Sequence, residues 1–135
     1  MKKLYTHSHG PDPDARHAAM GRLILEAQAM GSQNAVLALP FKRNIENYNT
    51  FFSRDQIRAF AGAGRATING VDVYLWAKHG DSPLPVSGPV LVLDGPPSLA
   101  ASVQEMAEVV LYVPWMETER DEYLANNPDA IRIFP

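Results

Sequence analysis

The densest group of reactive side chains lies near the start of the chain, in Thr6-His7-Ser8-His9-Gly10-Pro11-Asp12-Pro13-Asp14-Ala15-Arg16-His17. A His-x-His pair at a strand end presents both imidazoles on one face, because strand side chains alternate with a period of two. Asp-x-Asp in the turn that follows can aim its carboxylates at the same point. Two nitrogens and two oxygens suit zinc, manganese or iron. His7, His9, Asp12 and Asp14 are therefore candidate metal ligands, and a divalent metal (Mn or Zn) is the candidate cofactor. A helix start explains part of the same pattern. Asp12 or Ser8 can accept from free amide groups, Pro13 suits the first helical position, and Asp14 sits well at the positive end of a helix dipole. His17 falls on the first turn, where that dipole disfavours a charged imidazole.

From His7 to Ala15 the segment resembles the opening motif of the DHH phosphoesterases, in which a strand ends in His-x-x-Pro-Asp-x-Asp-Ala and the aspartates bind manganese. His9, Asp12 and Asp14 would be the corresponding residues, with Gly10-Pro11 between them. His7-Ser8-His9 is also similar to the opening of the PHP phosphoesterases. Both resemblances imply metal-dependent phosphoester hydrolysis. They cover only this short segment, and neither the later Asp-His-His motif of the first family nor the further histidines of the second have a counterpart in the chain.

Bulk properties bound the rest. The 135 residues suit one domain, 1–135, and the 46% hydrophobic and 20% charged shares are those of a globular protein. A net charge of −3 argues against a broad nucleic-acid face, which needs clustered Lys and Arg. The absence of cysteine excludes disulfides, thiolate metal sites and cysteine nucleophiles, and it fits a cytoplasmic protein. No apolar run approaches the ~20 residues of a membrane helix.

The elements that must position any site follow from periodicity. Residues 3–7 read as a short strand. Ala19, Met20, Leu23, Ile24, Ala27 and Met30 form a helical stripe that Gly31 is placed to end. Ala35 to Leu39 is an apolar run without alternation, the pattern of a strand buried on both faces. Residues 41–52 show no period and read as a loop with at most one helical turn. Ser53 and Gln56 match a capping box ahead of a short helix carrying Ile57, Phe60 and Ala61. Asn69-Gly70 between two β-prone runs predicts a hairpin whose second arm is 71–77. A surface loop over 78–89, a buried strand over 90–94, a helix capped by Ser98, a strand over 109–113, a short helix capped by Thr118 and a final strand over 131–134 complete the chain.

This alternation predicts an α/β fold, a small three-layer Rossmann-like sandwich. Its mostly parallel sheet would have about five to six strands and one antiparallel hairpin edge. No dinucleotide fingerprint, Walker loop or nucleophile elbow is present. In open α/β sheets ligands bind beyond the carboxyl ends of the strands. That rule gathers His7, His9, Arg43, Asp94 and Trp115 as candidate ligand contacts, with His79 and Asp81 nearby on the rim. The function expected is non-catalytic binding of a small molecule, nucleotide-like or otherwise anionic, or of a protein partner. One alternative is phosphoesterase-like chemistry at residues 7–14. The other is a structural or assembly role as a homodimer through the hairpin edge.

Overall fold

The computed structural model describes residues 1–77 and 84–135, so His79 and Asp81 lie outside the described residues. Seven strands make one sheet: β1 (Lys2–Thr6), β2 (Asn34–Leu39), β3 (Arg65–Ile68), β4 (Val71–Ala77), β5 (Val90–Leu93), β6 (Val109–Val113) and β7 (Ile131–Phe134). Their spatial order is β3-β4-β2-β5-β6-β1-β7. Every neighbouring pair is parallel except β3 with β4. The hairpin at Asn69 and Gly70, with φ of 49° and 82°, is thus the antiparallel edge. The sheet is one strand larger than the five or six expected.

The apolar runs occupy the centre. All residues of β5 and β6, and all of β2 after Asn34, are buried. Each fully buried Leu there contributes roughly 1.5–3 kcal/mol relative to exposure. β7, whose residues are exposed or half-buried, takes the outer edge. Helices α1 (Pro13–Ala29) and α2 (Arg54–Gly62) follow β1 and β2, and α3 (Pro97–Gln104) and α4 (Glu117–Asn126) follow β5 and β6. One face of the sheet packs Leu4, Leu37, Leu91 and Leu111 against Leu23 of α1 and Phe60 of α2. The other packs Val36, Val92 and Tyr112 against Leu99 and Val103 of α3 and Tyr123 of α4. This is a three-layer, Rossmann-like sandwich. The α1 crossover runs one way across the sheet and those of α3 and α4 run the other way on the opposite face, as a single crossover handedness demands.

Local signals are mostly, but not uniformly, as expected. Asp12 Oδ1 accepts from the amides of Asp14 and Ala15 at 3.1 and 3.2 Å, and Ser53 and Gln56 cap each other reciprocally. Ser98 and Thr118 do not cap. Each lies inside its helix, because Pro96 and Met116 hold the preceding extended positions. The segment expected as a loop contains a 3₁₀ helix, Lys42–Tyr48, whose Ile45 and Tyr48 are buried. Trp76 is 3% exposed and belongs to the core on the α3 and α4 face of the sheet. Among the described residues no helix is long and apolar enough to cross a membrane.

Candidate functional site

The connections leaving β2 and β5, which are neighbours, pass to opposite faces of the sheet. A crevice opens between such strand ends. It is a cavity of about 540 Å³, lined by Arg16, Asn44, Asn47, Tyr48, Asp94 and Trp115, with Pro11 and Pro40 as apolar walls. That volume is in the range of small-molecule pockets.

Asp94, the residue after β5, lies at the centre. Its backbone is left-handed, with φ 56°, and its amide donates to Val113 O at 2.9 Å. Asp tolerates this region better than most residues, because its short side chain can hydrogen-bond locally. The side chain is 11% exposed, and Oδ2 accepts from Arg16 Nη2 at 2.5 Å and from the Tyr48 hydroxyl at 2.7 Å. The Arg16 guanidinium also lies over the Tyr48 ring, 4.9 Å from its centroid. Burial pushes the Asp94 carboxyl above its usual range, against the pull of Tyr48 and Arg16. Burial and the adjacent carboxylate likewise push the Tyr48 phenol far up, so it stays a hydrogen-bond donor.

This cluster is incompletely satisfied. Asp94 Oδ1 and Arg16 Nε are buried without a partner, and so are Thr6 Oγ1 at the end of β1 and His7 Nδ1 and Ser8 Oγ just beyond it. Trp76 Nε1 is the one other such atom among the described side chains. Native interiors satisfy nearly all buried polar groups. Five of the six such atoms among the described residues lie at the carboxyl ends of β1 and β5 or on Arg16, which pairs with Asp94.

The expected contacts divide here. Asp94 and Trp115 line the crevice, and Trp115 keeps 42% of its surface exposed while its carbonyl accepts from Gly10 N at 2.7 Å. Arg43 does not reach it. Residues three apart eclipse in a 3₁₀ helix, so Lys42–Tyr48 offers three faces. Ile45 and Tyr48 face inward, and Asn44 and Asn47 line the crevice. Arg43 and Glu46 border a separate depression beside Phe60 and Leu75. The Arg43 guanidinium rests over the Phe41 ring at 5.0 Å.

His7 and His9 also lie outside the crevice lining. The strand ends at Thr6, one residue earlier than expected, and His7 is bound into the seam of β1, β7 and α4. Its amide donates to Phe134 O at 2.9 Å, and its carbonyl accepts from Arg120 Nη1 at 3.0 Å. His9 is exposed. Asp12 is engaged as a helix cap and Asp14 is exposed in the first turn. Among the described residues no three His, Asp or Glu side chains are grouped to hold a metal ion.

Two contributors escaped the sequence reading. Arg16 stands three and four residues before Ala19 and Met20 and seven before Leu23, so it extends the apolar stripe of α1 with a charge. A lone cation on a buried face was the signal. Tyr48 shares the three-residue spacing of Ile45, the mark of a 3₁₀ turn inside a segment read as aperiodic.

Fold and crevice together define an α/β sandwich with a strand-end cavity. No family model, no curated protein and no solved structure matches the chain.

Proposed function

We propose that this protein is a non-catalytic binding module that holds a small, ring-bearing ligand in the crevice above Asp94. The observation that carries this reading is Asp94 itself. The turn after β5 could be made by Gly or Asn without placing a charge there, and a buried carboxylate costs desolvation energy. Asp94 instead stands in a left-handed conformation in the lining of a cavity, with one oxygen engaged and the other buried without a partner. Non-Gly residues held in sparsely populated backbone regions cluster at functional sites. Trp115 supplies a flat aromatic face at the mouth, and aromatic stacking on such a surface tolerates many ring systems. Asn44 and Asn47 add amide groups on the wall.

The test is a thermal-shift screen of nucleosides, nucleotides and aromatic acids and amines against the full chain. A ligand that binds only the native state must raise the melting temperature. At least one ring compound is expected to do so, and Asp94→Asn and Trp115→Ala should each remove most of the shift. A shift that survives both substitutions would move the site elsewhere.

A further inference from the structure

We infer that the ring taken by the crevice is a saccharide, held between Trp115 and a row of neutral polar groups formed by Asn44, Asn47 and Thr50. This rests on the reading of the crevice as a ligand site and names the class of ring that site takes.

The row follows from the local helix. Residues three apart eclipse in a 3₁₀ helix and are displaced by about 6 Å along its axis. Asn44 and Asn47 fall in one such row of Lys42–Tyr48, and Thr50 continues the spacing in the turn beyond. All three line the crevice. Their hydrogen-bonding capacity is largely unused. Asn44 Oδ1 accepts from the Phe41 amide at 3.1 Å, which leaves the amino group of that side chain as a donor. Asn47 and Thr50 are exposed, and their side chains make no hydrogen bond to the described residues. A carboxamide and a hydroxyl each both donate and accept. So does a sugar hydroxyl, and a row of such groups suits hydroxyls spread around a ring. A flat base presents its donor and acceptor along one edge, which a single carboxamide satisfies.

The row follows β2 and Trp115 follows β6, with β5 and Asp94 between them in the sheet. The two therefore border the crevice from either side of Asp94. Trp115, 42% exposed, Pro11 and Pro40 supply apolar surface. One face of a pyranose is made of C–H groups while its rim is hydroxylated, so it can cover an indole and still turn hydroxyls to the row. The two charged members of the lining, Arg16 and Asp94, are bonded to each other. What remains for a ligand is aromatic, apolar and neutral polar surface.

Calorimetric titration of the full chain with glucose, galactose, mannose and maltose tests the inference. Melting curves would not serve, because sugars excluded from protein surfaces stabilise any fold. At least one of the four should bind saturably. Sorbitol, which has the hydroxyls without the ring face, should bind more weakly by about threefold or more. Asn47→Ala and Trp115→Ala should each weaken the sugar by about threefold to tenfold, the loss of one hydrogen bond or one stacked face. Glu46→Ala, one residue around the helix in the separate depression, should leave it unchanged. Glu46 and Asn47 are both exposed, so neither substitution threatens the fold. Sugar binding indifferent to Asn47→Ala and Trp115→Ala would overturn the assignment to this crevice. Sorbitol bound as tightly as the sugars would overturn the stacked ring. Adenosine bound and lost in Trp115→Ala, with no sugar bound, would overturn the saccharide class and leave the ligand site standing. Binding of neither adenosine nor any sugar would overturn the class and count against the site as well.

Discussion

Glu26, near the amino edge of the sheet, and Asp94, at its carboxyl edge, are both acids held largely out of water, with side chains 7% and 11% exposed. Their surroundings differ in kind. Glu26 Oε1 meets Lys2 Nζ at 2.6 Å and Arg22 Nε at 3.0 Å, tying the start of β1 to the last turns of α1. Burial opposes its ionisation, yet the hydrogen bonds from Lys2 and Arg22 outweigh burial and hold the carboxyl below its usual range. Asp94 has one cation and one phenol, an unpartnered oxygen and a strained backbone, and burial wins. One acid is paired in the way that stabilises a fold. The other is held where burial opposes its charge, and it is this perturbed acid on which the proposed ligand site rests.

The largest expected effect that separates them is on ligand affinity. Asp94→Asn should lower it by about tenfold to a hundredfold, the loss of a hydrogen bond to a charged acceptor, while Glu26→Gln leaves affinity unchanged. Calorimetry on the two variants side by side checks both. The next effect runs the opposite way. Glu26→Gln should cost about 1 kcal/mol of stability at neutral pH, a value kept small because Lys2 and Arg22 are partly exposed. Urea unfolding measures it, and a cost absent at neutral pH would dissolve the contrast.

The pH dependence of those same unfolding curves sharpens the comparison. The folded-state pKa of Glu26 lies below its ordinary value of 4.5, so its contribution is present above that value and disappears as pH falls through the folded one. The cost of Glu26→Gln should therefore vanish in acid. Asp94 has the opposite sign. Its folded-state pKa lies above the ordinary 3.8, so ionising it works against folding as pH rises through that window. Asp94→Asn should become relatively more stable than the natural protein over the same rise. The smallest effect is expected at Arg43. Arg43→Ala should leave affinity unchanged and stability within ~0.5 kcal/mol, as for an exposed side chain. A marked loss of affinity there would return the anion-binding rim that the 3₁₀ turn directs away.

The parts of this comparison were unequally visible in the sequence. Uninterrupted apolar runs at 35–39, 90–93 and 109–113 and the Asn69-Gly70 turn were enough for the sheet and its antiparallel edge, because burial on two faces and positive φ leave direct traces in residue type. Asp94 and Trp115 were reachable by the strand-end rule alone. Arg43 satisfied the same rule and still misses the crevice, since one residue of rotation in a 3₁₀ helix turns a side chain by about 120°. His7 and His9 drew attention by type, but β1 ends before them and β7 and α4 enclose the first. Arg16 was hidden by the capping chemistry around it. Its partner stands 78 residues away, a pairing that only the crossover of α1 over the sheet brings about.

The central claim is that a ligand occupies the crevice between Asp94 and Trp115, and the two tryptophans allow it to be watched directly. In NMR spectra recorded during titration with a compound that raises the melting temperature, the indole N–H signal of Trp115 should shift. That of Trp76, buried in the core on the α3 and α4 face, should stay in place. A saturating ligand that leaves the Trp115 signal unmoved would contradict the account.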